Sequence, residues 1–109
     1  MNSKNKGSRG ERELAEKLRE YGFDAHRGQQ FSGGYDSPDV YGLPGIHIEC
    51  KRVERLNISE AYHQAERDAE GKAIPAVFHR RNREKWMVTL SLDDFMEIYA
   101  EWQKNGFTG

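Results

Sequence analysis

The seven residues Ile46-His47-Ile48-Glu49-Cys50-Lys51-Arg52 alternate apolar and polar side chains, a period of two that suits a strand and not a helix. Ile46, Ile48 and Cys50 share one face, which belongs in a core. His47, Glu49 and Lys51 share the other, which sets a carboxylate beside an ammonium. Leu43-Pro44-Gly45 just upstream is a tight turn, so a preceding strand over Asp39–Gly42 pairs back on Ile46–Arg52. Asp39 follows a proline that holds Ser37 extended, and the hairpin brings it close to Glu49.

Around this hairpin the remaining elements follow from local signals. Ser8 to Tyr21 is predicted helical, capped by Ser8 and ended by Gly22, with Leu14, Ala15, Leu18 and Tyr21 as its apolar stripe. A first strand is predicted over Phe23 to Arg27, then a mobile glycine-rich loop from Gly28 to Ser37. Asn57 caps a second helix running to about Ala69, with Ile58, Ala61, Tyr62, Ala65 and Ala69 on one face and Gly71 at its end. Strands over Ile74–His79 and Trp86–Leu90 flank a basic turn. Ser91 then caps a last helix whose Leu92, Phe95, Met96, Tyr99 and Trp102 form an apolar stripe for a core or a dimer interface. The order is α-β-β-β-α-β-β-α, an α/β fold with a mixed central sheet flanked by helices.

The 109 residues suit a single domain, with residues 1–6 expected to be flexible. Hydrophobic residues at 36% against 32% charged suggest a modest core, of the sort a second copy often completes. Cys50 has no cysteine partner in the chain, which excludes an internal disulfide and a cysteine-rich zinc site. No apolar run approaches the roughly 18 residues of a membrane span, and no signal peptide is evident, so a cytoplasmic protein is expected. A net charge of −1 gives no global field to attract nucleic acid. Any nucleic-acid face must be local, and His79-Arg80-Arg81-Asn82-Arg83-Glu84-Lys85 offers one, whereas the last helix is acidic.

Asp39 and Glu49 supply the hard oxygen ligands that Mg²⁺ prefers, and a cation there would stabilise phosphate charge and acidify a water. Lys51 would orient that water or act as a point charge. Glu-x-Lys by itself is more often a solvated charge pattern on an exposed strand face. Glu11 adds weight, because it points with the apolar stripe of the first helix while Glu13, Glu16 and Glu20 lie opposite. Ser8-Arg9-Gly10-Glu11 is equally a capping box, in which Glu11 bonds back to the helix start. His47 shares the face of the site but is read as a neighbour and not a ligand. The zinc-deaminase reading of His47-Ile48-Glu49 fails for want of a Pro-Cys-x-x-Cys. Phosphate contacts are expected from Lys6, Arg9, Arg12 and Arg27, and from Arg52, Arg80, Arg81 and Arg83, with Lys4 and Lys85 as further candidates.

Lys6-Gly7-Ser8-Arg9-Gly10-Glu11-Arg12-Glu13-Leu14, Ser32-Gly33-Gly34, Pro38-Asp39 and Ile48-Glu49-Cys50-Lys51 resemble, in order and spacing, the archaeal-type Holliday junction resolvases. These belong to the wider PD-(D/E)xK nuclease superfamily, and several phage enzymes are similar. The resemblance runs from about Lys6 to Leu90. It implies a restriction-endonuclease-like fold, Mg²⁺ with Mn²⁺ as a substitute, and a two-fold homodimer acting on branched DNA. It assigns Glu11, Asp39 and Glu49 to the metal centre, Lys51 as catalytic lysine, Ser32 near the scissile strand and Gln64 as a residue ordering the site. The expected function is paired phosphodiester hydrolysis at four-way junctions. A nuclease for flaps, single strands or duplex, and a non-catalytic DNA-binding module of the same fold, are the alternatives.

Overall fold

The computed structural model describes residues 3–28 and 38–106, with the side chains of 3–6 left aside. It contains α1 (Ser3–Glu20), β1 (His26–Arg27), β2 (Val40–Tyr41), β3 (Ile46–Arg52), α2 (Ile58–Ala69), β4 (Ile74–Arg80), β5 (Met87–Thr89) and α3 (Leu92–Lys104). The element order is the one expected. The five strands lie in the order β1-β2-β3-β4-β5, antiparallel except for β3 and β4. That parallel pair needs a crossover, which α2 supplies. It runs in continuous register from Ile46 opposite Ile74 to Arg52 opposite Arg80.

Two helices cover the sheet from opposite sides. Leu14, Ala15 and Leu18 of α1 pack on Val40, Ile48, Ala76 and Phe78, with Ile46 and Cys50 against them. The expected apolar face of β3 is therefore core. Ala61 and Ala65 of α2 pack on Val77 from the other side. The polar face of β3 is not solvated, because α2 lies over it: His47 is 5% and Glu49 3% exposed. A solvated charge pattern is thereby excluded for Glu49.

The first helix departs from expectation at its start, and stops at Gly22 as expected. It begins at Ser3, so Ser8 is inside it and caps nothing, and residues 3–6 are helical. The Ser8 hydroxyl instead accepts from the Arg27 guanidinium at 3.0 Å, a charge-assisted bond stronger than a neutral cap. At the other end, Gly22 N–H donates to Arg19 C=O and Phe23 N–H to Leu18 C=O, with Gly22 at φ +96°. This Schellman closure ties Phe23 to the helix, so β1 starts only at His26, and Tyr21 is left exposed. Glu13, expected on the outer side, meets Arg52 and Arg80. The sheet reaches under that flank of α1, and the long arginine stems span the remaining gap.

Gly10 marks the close approach of α1 to β3, since a Cβ there would lie 2.6 Å from Arg52 Cβ. Gly10→Ala is therefore expected to destabilise the protein by about 1–3 kcal/mol through overpacking, despite alanine's helix preference of about 1 kcal/mol. Chemical denaturation checks this, and an unchanged or raised midpoint would mean that the helix sits further from the strand.

The α2 and α3 caps follow the sequence: Asn57 Oδ1 accepts from Glu60 N–H at 3.1 Å and Ser91 Oγ from Asp94 N–H at 3.0 Å. The stripe on α3 does not enter this chain's core. Leu92, Phe95, Met96, Ile98 and Trp102 are exposed, Leu92 by 73%, and the Phe95, Tyr99 and Trp102 rings meet one another along the helix.

Candidate active site

The site lies at the β2–β3 junction, and Asp39 is fixed there twice. Its backbone N–H donates to Ile48 C=O at 2.9 Å, and its Oδ2 accepts from Cys50 N–H at 2.8 Å. The side chain thus takes the place of the next rung of the ladder beside Glu49. On the following odd position of β3, Lys51 Nζ is 3.5 Å from Glu49 Oε2.

Both carboxyls are hard to ionise. Burial raises Asp39 to about 6; the Cys50 N–H opposes the rise, Glu11 adds to it, and Lys51 opposes it. Burial raises Glu49 to about 7, Asp39 adds to it and Lys51 opposes it. Asp68 of α2 adds to the rise in both. A half-buried Asp39 and a buried Glu49, both held this high, gain from a positive charge placed between them. Their hard oxygens match a divalent cation such as Mg²⁺, so the donor set fits the expected metal.

Glu11 approaches from α1, on the other side of the sheet from α2. Its carboxylate accepts from Arg27 Nε at 3.1 Å and is felt by Asp39. The capping-box reading fails, because α1 starts well before Ser8. Glu11 acts on Asp39, and Asp39 on Glu49, but the group of ligand atoms that comes together among the described residues is a different one. One ligand atom each of His47, Glu49 and Asp68 lies within 4.8 Å of the others. Sequence reasoning missed Asp68. The available signal was its place one turn after Gln64 on α2, and Gln64 itself is half-buried there. Ser32 and the loop around it lie outside the described residues, as does the Lys6 side chain.

The predicted phosphate contacts divide into two groups. Arg27 is engaged with Glu11 and Ser8, Arg52 with Glu13 and Glu54, and Arg80 with Glu13 and the Glu84 carbonyl. Arg9, Arg12, Arg81 and Arg83 are exposed, Arg81 with the Glu84 carboxylate 3.8 Å away. Arg9 and Arg12 line a shallow basic groove with Arg19, His26 and Arg27, alongside the Glu11 flank of the site.

The sequence matches the family model described as "Phage putative PDDEXK endonuclease" over residues 2–108. The chain belongs to this phage PDDEXK endonuclease family. Pro38-Asp39 and Glu49-Cys50-Lys51 read P-D and E-x-K, the letters that the family's name carries. Among solved structures it is similar to Hjc of Archaeoglobus fulgidus, a Holliday junction resolvase from an archaeal hyperthermophile. Identity is 28% and the TM-score 0.58, over 78% of this chain and 72% of that one. No curated protein matches the sequence. The family and the shared fold mark the chain as a nuclease of PD-(D/E)xK type. No helix among the described residues is long and apolar enough to cross a membrane.

Proposed function

We propose that the chain is a Mg²⁺-dependent endonuclease that resolves four-way DNA junctions as a homodimer, with all 109 residues forming one nuclease domain. The observation that carries the chemistry is the Asp39–Glu49 pair, half-buried and buried respectively and both hard to ionise, with Lys51 3.5 Å from Glu49. A bound divalent cation supplies charge stabilisation at the phosphate and a more acidic water. Asp39 and Glu49 present the oxygens that would hold it, Asp39 kept in place by its bond from Cys50 N–H. Lys51, partly exposed, points its ammonium to the same spot and serves as the point charge beside the scissile phosphate. Glu11, Gln64 and Ser32 are proposed as the supporting residues, and Mn²⁺ as a cation that substitutes.

Arg9 and Arg12, with Arg81 and Arg83, are proposed to grip phosphates on either side of this centre. The DNA work is proposed to take place in the cytoplasm. Junction preference is supported by likeness to a resolvase. The exposed apolar face of α3 supports a second copy, and an isologous dimer presents two sites to the two-fold related strands of a junction.

The test is cleavage of a labelled four-way junction in Mg²⁺ beside matched duplex, flap and single-strand DNA. Paired nicks confined to the junction are expected; equal cutting of duplex would overturn the resolvase reading and leave a general nuclease. Sedimentation of the wild type at micromolar concentration should show a dimer, and Phe95→Asp should convert it to monomer. A wild-type monomer would remove the basis for paired incision.

A further inference from the structure

We propose that His47, Glu49 and Asp68 form a second cation site between β3 and α2, sharing Glu49 with the Asp39 side and preferring Mn²⁺, Co²⁺ or Zn²⁺ to Mg²⁺. The proposal goes beyond the nuclease reading and stands on its own geometry. Three donors of two chemical kinds, one imidazole nitrogen and two carboxylate oxygens, lie within 4.8 Å of one another. Donors about 2.1 Å from a shared ion stand no more than about 4.2 Å apart, so closing the group requires a movement of well under an ångström.

The elements hold these donors in place. His47 and Glu49 are alternate residues of a strand locked in register with β4, and both are buried. Asp68 comes from the last turn of α2, between the buried Ala65 and Ala69 that seat the helix. It is only half-buried, which leaves a route for an ion from solvent.

Charge points the same way. Asp39, Glu49 and Asp68 act on one another across the site, and Lys51 is the cation that answers them there. A divalent ion on the α2 side would offset the excess of negative charge. The imidazole nitrogen decides which ion. Mg²⁺ prefers an all-oxygen shell, whereas an imidazole donor favours first-row transition ions over it, Mn²⁺ least and Co²⁺ and Zn²⁺ more. His47, which sequence alone makes a bystander, is then the residue that sets cation preference.

The experiment is calorimetric titration of the full-length protein with Mn²⁺ and separately with Mg²⁺, without DNA, on wild type, His47→Gln and Asp68→Asn. Wild type should bind Mn²⁺ at least about tenfold more tightly than Mg²⁺. Each substitution should weaken Mn²⁺ by at least about tenfold, the loss that even an outer-shell partner of a ligand produces. Mn²⁺ affinity unchanged in both variants overturns the site. A second readout needs only wild type: on adding Zn²⁺, the ring signals of His47 in a nitrogen–proton correlation spectrum should shift and stay resolved. The other three histidines serve as internal references. A His47 ring unmoved at saturating Zn²⁺ overturns the proposal however the variants fold. Cleavage plays no part in either readout, so a chain that cuts DNA with His47 unmoved refutes this site and leaves the nuclease intact.

Discussion

Glu49→Gln is expected to lower junction cleavage at least about a hundredfold while leaving the metal-free protein as stable as wild type, or more so, at pH 8. The two effects have one cause. Glu49 is almost wholly buried, and its carboxylate faces Asp39 and Asp68. Ionised, it is desolvated and repelled; in the proposed mechanism the same charge would hold the cation and position Lys51. Glutamine keeps the shape and one carbonyl oxygen but removes the charge, so the folded state loses a strained group and the chemistry loses an anion. Lys51 loses its partner, yet it is 31% exposed at the side chain and can recover water. Single-turnover cleavage and thermal unfolding in a chelator measure the two halves. A large fall in melting temperature with cleavage retained would mean that Glu49 serves as a structural ion-pair partner of Lys51.

The legible part of this site is the part that a strand's period exposes. Alternation fixes Glu49 and Lys51 on one face, and a short turn returns Asp39 to them; both relations span few residues and survive in the structure. What alternation does not reveal is whether a polar face is wet. The face of His47 and Glu49 is dry because α2 crosses over it, and that depends on a parallel pairing with β4 that no local signal specifies. Asp68 was missed for the same reason: an acid on a helix is ordinary until the helix is placed. Glu13 is similar. Helical phase sets it off the apolar stripe, and only the reach of Arg52 and Arg80 from neighbouring strands turns it inward. On α1 the Ser8 hydroxyl accepts a hydrogen bond, as a cap would, but the donor is the Arg27 guanidinium and not a helix-start N–H.

The stability of the metal-free protein should fall as pH rises from 5 to 8, and a divalent cation should flatten that slope. In the unfolded chain Asp39 and Glu49 lose their protons near their ordinary values of 3.8 and 4.5, but in the folded chain only at about 6 and about 7. Between those limits the folded state binds more protons than the unfolded one. Stability present at low pH is therefore lost as pH rises through the folded values, and it levels off beyond them. Each pH unit of displacement corresponds to about 1.4 kcal/mol, so the pair has a ceiling of roughly 6 kcal/mol, part of it already lost below pH 5. At about 4–8 °C per kcal/mol for a domain of this size, the loss is readable by calorimetry. His79, held below its ordinary value by burial, contributes the opposite slope below pH 6.5, so wild type must be compared with Asp39→Asn and Glu49→Gln, which share that histidine. The variants should lose most of the decline. Protons and cation compete for the same oxygens, so Mg²⁺ should raise the melting temperature of wild type more at pH 8 than at pH 5. A wild-type profile that rises across this range in chelator would show that the two carboxyls are better solvated than their burial implies, and would remove the reason for a cation to bind between them.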